Sequence, residues 1–276
     1  MSEKRPLGIF DSGIGGLSVL KEIHALLPGE DILYFADQAH VPYGSRSLDQ
    51  VRRLSEEITR CLEGRGAKVI VMACNTASAA SLHYLRAIFP ELPFIGMEPA
   101  VKPAAERTSS GIVGVLATPA TFQGELFASV VDRFAEDIRV LQTTLPGLVE
   151  HIEAGELDGP EITRILKQGI EPLLERGADT LVLGCTHFPF VLTTIQSLSG
   201  DRVEVIDPSP AIARRTQQVL EENRSISSSA HKGSIEYLTS GDIDQFKRAL
   251  KQLAMPPGEV KQALWEEGRL RAAKVK

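Results

Sequence analysis

Cys74 and Cys185 stand in matching settings. Val69-Ile70-Val71-Met72 reads as a buried strand, and Cys74 comes where it stops. Asn75-Thr76-Ala77-Ser78 follows and suits the first turn of a helix. Leu181-Val182-Leu183-Gly184 repeats the pattern, with Cys185, Thr186 and His187 after it and a second helix start expected there. Helix N-termini present unpaired N–H groups and partial positive charge, so a thiol placed there is expected to have a lowered pKa. Ligands of parallel α/β sheets bind at the carboxyl ends of the strands. Two thiols so placed can bracket one carbon atom, one removing a proton and the other returning one to the opposite face. Either cysteine alone would pass for a small buried hydrophobe; the pairing and the polar flanks favour chemistry. Cys61 lies in the helical pattern 54–62 with no strand before it and reads as structural.

Other groups with chemical potential cluster near expected strand ends. Asp11-Ser12-Gly13-Ile14-Gly15-Gly16 follows a first strand, Leu7-Gly8-Ile9-Phe10. It has the first spacings of a dinucleotide fingerprint, with Asp37 near the place of a ribose-binding acid, but the third glycine position is Ser18. A tight turn needing glycine for its conformation explains the loop as well. Ser12, Asn75, Thr76, Thr118, Thr121 and Thr186 can donate to carboxylate oxygens, and Asp11 can accept from an ammonium group. N-capping alone also explains hydroxyl and acidic residues at such positions. His187 can assist Cys185 in proton transfer or be a structural histidine, and Tyr43 in Pro42-Tyr43-Gly44-Ser45 lines a cleft or merely packs.

The elements that must carry these groups follow in regular order. Strand and helix patterns alternate as βαβαβαβ up to Phe94-Ile95-Gly96, which predicts a parallel sheet with right-handed crossovers. A second series begins at Ile112. It has a hydroxyl-rich turn at 117–121, a helix over 122–134, two further helices, the Cys185 strand and a last strand at 203–206. Gly8-Ile9-Phe10-Asp11-Ser12 parallels Gly114-Val115-Leu116-Ala117-Thr118. The expected fold is α/β: two similar doubly wound, flavodoxin-like lobes with mainly parallel sheets and the site in the cleft between them. The first lobe takes 1–97 and 211–276, and the second 98–210. The segment after Pro256 is charged and expected to be peripheral, with Trp265 as a packing anchor.

Composition excludes several classes. The 276 residues are 43% hydrophobic, enough for a sizeable core, and the net charge of −6 gives no nucleic-acid footprint. No apolar run suits a membrane span or signal peptide, and three cysteines fit a reducing cytoplasm. The cysteine and histidine spacings do not make a metal site. With few residues before the first strand, no N-terminal regulatory extension is expected.

Four stretches, 8–16, 41–44, 73–78 and 183–189, resemble the cofactor-independent aspartate/glutamate racemases, in family order, and the likeness runs from about 7 to 253. The resemblance implies that Cys74 and Cys185 are catalytic acid/bases, aided by Asp11 and His187, with Glu153 in support. It implies substrate contacts from Asp11, Ser12, Tyr43, Gly44, Asn75, Thr76, Thr186 and His187. The family's cysteine ahead of that glutamate is Leu145 here, and Asp37 matches a further acidic position. The implied reaction interconverts L- and D-glutamate for peptidoglycan, with no cofactor, in a cytoplasmic homodimer. Three alternatives stay open: an aspartate racemase, a non-catalytic binding protein for acidic amino acids, and an NAD-dependent oxidoreductase.

Overall fold

The apolar runs become strands whose polar successors all emerge on one edge. The computed structural model describes residues 5–134, 137–227 and 232–272. The leader before Arg5, part of the serine-rich loop at 224–233 and the last four residues lie outside that description.

The first series is β1 (Leu7–Asp11), α1 (Leu17–Leu26), β2 (Ile32–Ala36), α2 (Leu48–Gly64), β3 (Val69–Met72), α3 (Asn75–Ile88) and β4 (Phe94–Gly96). The chain crosses through α4 (Val101–Arg107) to β5 (Ile112–Ala117), α5 (Pro119–Gln123), α6 (Glu125–Phe134), β6 (Arg139–Thr143), α7 (Leu148–Glu153), α8 (Pro160–Glu175), β7 (Thr180–Gly184), α9 (Leu192–Ser199) and β8 (Glu204–Ile206). It returns through α10 (Ser209–Glu222), β9 (Ile235–Thr239), α11 (Ile243–Gln252) and the hairpin β10 (Glu259–Glu266) and β11 (Arg269–Ala272).

Among the described residues there are two sheets, ordered β11-β10-β9-β2-β1-β3-β4 and β6-β5-β7-β8. All pairings are parallel except β10 with β11. The four-strand orders β2-β1-β3-β4 and β6-β5-β7-β8 are the same topology. Each reverses direction beside its first strand, which is where open α/β sheets bind ligands. Register carries the repeat further. Phe10 pairs with Met72, and Ala117 pairs with Gly184. The residues just beyond therefore emerge together: Asp11 near Cys74, and Thr118 near Cys185.

The lobes share apolar interior. One cluster runs from Leu7, Ile9 and Val71 through Leu148, Ile152 and Leu166 to Leu181 and Leu183. Each such aliphatic side chain contributes about 2 kcal/mol by its burial, and α1 packs along α10 where the chain returns. No helix among the described residues is long and apolar enough to cross a membrane.

Three expectations need correction. The helix read over 122–134 is broken at Gly124 into α5 and α6, since the Gly124 backbone is extended. Helix α4 forms at 101–107, where no element was expected; Pro99 precedes it and Pro103 enters its first turn, where the missing N–H is tolerated. The charged segment after Pro256 forms β10 and β11, which extend the first sheet beyond β9.

Candidate active site

Asp11 ends β1, fully buried. Its Oδ2 accepts from the Gly16 N–H at 2.9 Å and the Gly13 N–H at 3.2 Å, so the glycine-rich loop wraps its own carboxylate. Cys74 caps α3, and its sulfur accepts from the Ala77 N–H at 3.4 Å. The thiol also lies 3.9 Å from Ser12 Oγ and close enough to the Asp11 carboxylate to feel its charge. Burial pushes the Cys74 thiol well above the ordinary range, and the Asp11 charge pushes it further. The expected lowering at a helix start is thus reversed. One N–H on the sulfur does not offset desolvation plus an adjacent carboxylate. Burial likewise raises Asp11, although His187 and the Gly16 N–H act against it.

Cys185 follows β7 but does not cap a helix. A short 3₁₀ turn, Phe188–Val191, begins beyond His187 and leads into α9. Support comes instead from side chains. His187 Nδ1 is 3.7 Å from the Cys185 sulfur, and Nε2 is 2.6 Å from Glu153 Oε1. The same Oε1 accepts from the Ile14 N–H at 2.7 Å, and Oε2 accepts from Gln38 Nε2 at 3.0 Å. Burial opposes the imidazolium, but the thiol and Glu153 on its two sides raise His187 well above its usual value. Burial would raise Glu153 too. The His187 hydrogen bond and charge, with Ile14 and Gln38, hold it below the usual carboxylate range.

The halves meet at Asp11 and along the glycine-rich loop. Thr186 Oγ1 donates to Asp11 Oδ1 at 3.5 Å, and the Cys185 charge is felt at Cys74. A Cβ on Gly15 would stand 2.5 Å from His187 Nδ1 and 2.6 Å from Thr186 Oγ1, and one on Gly13 would land on the Glu153 carboxylate. Neither glycine has a positive φ. They are small so that the second lobe can approach, not to permit a turn. The space a pyrophosphate would need is filled by Glu153 and His187, which removes the dinucleotide reading.

The binding candidates divide into two groups. Asn75 is buried, and neither its Nδ2 nor its Oδ1 has a protein partner; such a buried amide beside Cys74 calls for a ligand. Thr76 Oγ1 instead meets Thr118 Oγ1 at 2.9 Å and Thr121 Oγ1 at 3.3 Å, a hydroxyl cluster bridging α3 and α5. Tyr43 is buried and donates to Asp37 Oδ2 at 2.6 Å, so its hydroxyl is committed to the protein. Gly44 packs on Thr118. Beside this seam lies a cavity of about 200 Å³ lined by Pro42, Gly44, Thr118, Leu145, Val149 and Phe188 among others. Neither sulfur lines it, and the two cysteines retain 5% and 7% exposure.

Sequence reasoning missed Gln38, the Ile14 N–H and Trp265 as parts of the site's support. Trp265 Nε1 donates to Asp37 Oδ1 at 2.8 Å and so does more than pack. No local pattern marks any of the three.

A family model described as Asp/Glu/Hydantoin racemase matches residues 8–216. The chain belongs to this racemase family. A relative within the family, the glutamate racemase of Roseiflexus sp. (strain RS-1), is 49% identical over 263 residues, covering 94% of this chain and 96% of the relative. The crystal structure of glutamate racemase isoform RacE1 from Bacillus anthracis superposes with a TM-score of 0.86 at 28% identity, covering 97% of this chain and 99% of that one. The Francisella tularensis glutamate racemase, solved in complex with D-glutamate, gives 0.83 at 28% identity over 95% of this chain and 98% of that one. Both cysteines and every residue named above around them fall inside the matched span; Trp265 lies beyond it.

Proposed function

We propose that this racemase-family chain interconverts L- and D-glutamate by moving a proton between the two faces of the α-carbon, with Cys74 on one side and Cys185 on the other. One observation carries the reading. Each sheet delivers a buried thiol to the seam, and each thiol has its own carboxylate, Asp11 directly and Glu153 through His187.

The geometry supports a division of labour. Asp11 accepts from the substrate ammonium. Ser12, Asn75, Thr76 and Thr186 donate to its carboxylates, with Asn75 the one whose amide is unpaired. The Tyr43-Gly44 segment closes the seam against Thr118. One sulfur, as thiolate, takes the α-proton while the opposite thiol delivers another, and the roles reverse for the other enantiomer. The Cys74 thiol, raised by burial and Asp11, needs a compensating positive charge to ionise; an α-ammonium group beside Asp11 supplies it. His187, cationic between sulfur and carboxylate, donates to the Cys185 sulfur in its thiolate form. The α-carbon is a weak acid, so donors on the α-carboxylate and exclusion of water must stabilise the developing carbanion.

Nuclear magnetic resonance of glutamate and aspartate incubated with the protein in deuterated water, with no cofactor added, tests this. Deuterium entering the α-position of both glutamate enantiomers, with loss of optical rotation, is the expected result. Exchange of aspartate alone makes it an aspartate racemase. Binding without exchange makes it a binding protein.

The same proposal extends to assembly and setting: lobes at 1–97 with 211–276 and at 98–210, a homodimer, and a cytoplasmic role supplying D-glutamate for peptidoglycan. Family likeness supports these; light scattering of the purified protein checks the dimer.

A further inference from the structure

We infer that Trp265, on the C-terminal hairpin, is a positioning residue for the Tyr43-Gly44 segment and acts through Asp37; the inference rests on the glutamate racemase reading above. Asp37 is fully buried, and its carboxylate is shared between two sides of the molecule. Oδ2 accepts from Tyr43 OH at 2.6 Å. Oδ1 accepts from Trp265 Nε1 at 2.8 Å and Ser240 Oγ at 2.7 Å. His40 Nδ1 lies 3.0 and 3.1 Å from the two oxygens, and the Trp265 ring stands edge-on to the His40 ring at 4.9 Å.

The segment so held reaches the site at both ends. The Asp37 N–H donates to the Asp11 carbonyl at 3.0 Å, which ties the carboxylate's backbone to the residue beside Cys74. At the other end Gly44 lies against Thr118, where an added Cβ would stand 2.7 Å from the Thr118 Cβ. Thr118 in turn bonds Thr76, next to Asn75. A chain of contacts thus runs from the hairpin through Asp37, Tyr43, Gly44 and Thr118 to the turn that carries Cys74. A buried carboxylate with several donors holds its geometry only while each is present. Trp265 is the donor that comes from outside the first sheet's βα units. It enters on β10, which lies between β9 and the edge strand β11.

Trp265→Phe keeps an aromatic ring for His40 and removes the N–H. The expected effect is an about tenfold rise in KM for both enantiomers with kcat little changed, the size of a small misplacement of a binding segment. Tyr43→Phe cuts the chain at its other end. If Trp265 acts through Asp37 on Tyr43, the double variant is no worse than Tyr43→Phe alone, a non-additivity a merely structural tryptophan would not give. Additive effects, or unchanged kinetics in Trp265→Phe, overturn the inference. Trp265 is the only tryptophan in the chain, so its emission gives a readout independent of turnover. Tyr43→Phe and Asp37→Asn should each shift that emission in the parent protein, even if glutamate proves not to be the substrate. An emission indifferent to both variants contradicts the inference on its own.

Discussion

Cys74 and Cys185 occupy equivalent ends of equivalent strands, β3 and β7, yet they are supported in different ways. Cys74 caps a helix, takes one backbone N–H and sits directly beside the carboxylate of Asp11. Cys185 caps nothing; it relies on a side-chain relay through His187 to Glu153. Charge follows the same division. Burial and a negative neighbour raise the Cys74 thiol, whereas the neighbour of Cys185, His187, is raised toward its cationic form. Duplicated topology therefore fixes where the thiols emerge, and the turns grafted on it decide how each is held. A pseudo-symmetric site can serve two mirror-image substrates without being chemically symmetric.

The strongest way to break this comparison is to remove one sulfur at a time. Cys74→Ala and Cys185→Ala should each cost about 10³–10⁴-fold in kcat/KM, the upper part of the range for loss of a general acid or base. A variant retaining most of its racemase activity would remove that thiol from the chemistry. Gly15→Ala should come next, at about 10²-fold. Its methyl would stand 2.5 Å from His187 Nδ1, so it displaces the support of Cys185 while leaving the Asp11–Cys74 contacts in place. Steady-state kinetics with both enantiomers measures the loss.

Charge substitutions sharpen the contrast, because the carboxylate removed from each half acts on a different group. Glu153→Gln removes the charge that helps keep His187 protonated, so the His187 pKa falls and the imidazolium is lost at lower pH. The alkaline limb of kcat/KM should shift down in pH, with a loss of about 10–100-fold at the optimum. Asp11→Asn removes the charge that raises Cys74, so alkylation of Cys74, followed by peptide mass spectrometry, should proceed at lower pH than in the parent. The sign for stability is also set. The folded-state pKa of Asp11 is raised, so its ionised form costs stability above that pKa. The neutral variant should melt at a higher temperature near pH 7 while losing activity. The opposite holds for Glu153: its folded pKa is lowered, so its stabilisation is present at neutral pH and lost as pH falls through that pKa.

How far the sequence reached follows from the same contrast. The positions of both cysteines were legible because an apolar strand ending in a polar residue is a local pattern. The repeat of strand order was legible because Gly8-Ile9-Phe10-Asp11 and Gly114-Val115-Leu116-Ala117 echo each other. The ionisation of Cys74 was not, since burial and the approach of Asp11 are tertiary facts. The smallness of Gly13 and Gly15 looked like turn chemistry because their neighbours, Glu153 and His187, lie more than a hundred residues away. Residues 259–272 read as a charged tail because β10 is only partly buried and charged residues flank its short apolar stretch. Glu153 entered through family likeness alone, whereas His187 and Tyr43 drew notice from their places beside Cys185 and in the 42–45 turn, and the likeness added their roles.

The smallest expected effect concerns Leu145, where the family has a cysteine. Leu145→Cys should leave racemisation within about twofold of the parent, since the side chain packs on Gly169. It should cost about 2 kcal/mol of stability from the lost buried volume, read by urea denaturation. A large kinetic change would mean that the second lobe has a further functional thiol position.

The central claim is that the two sulfurs work on opposite faces of one carbon. Deuterium uptake at the α-carbon of L- and of D-glutamate, followed separately for Cys74→Ser and Cys185→Ser in deuterated water, tests it most directly. The account predicts opposite asymmetries, each variant retaining more exchange with one enantiomer and less with the other. Equal, near-parental exchange of both enantiomers in either variant would contradict it.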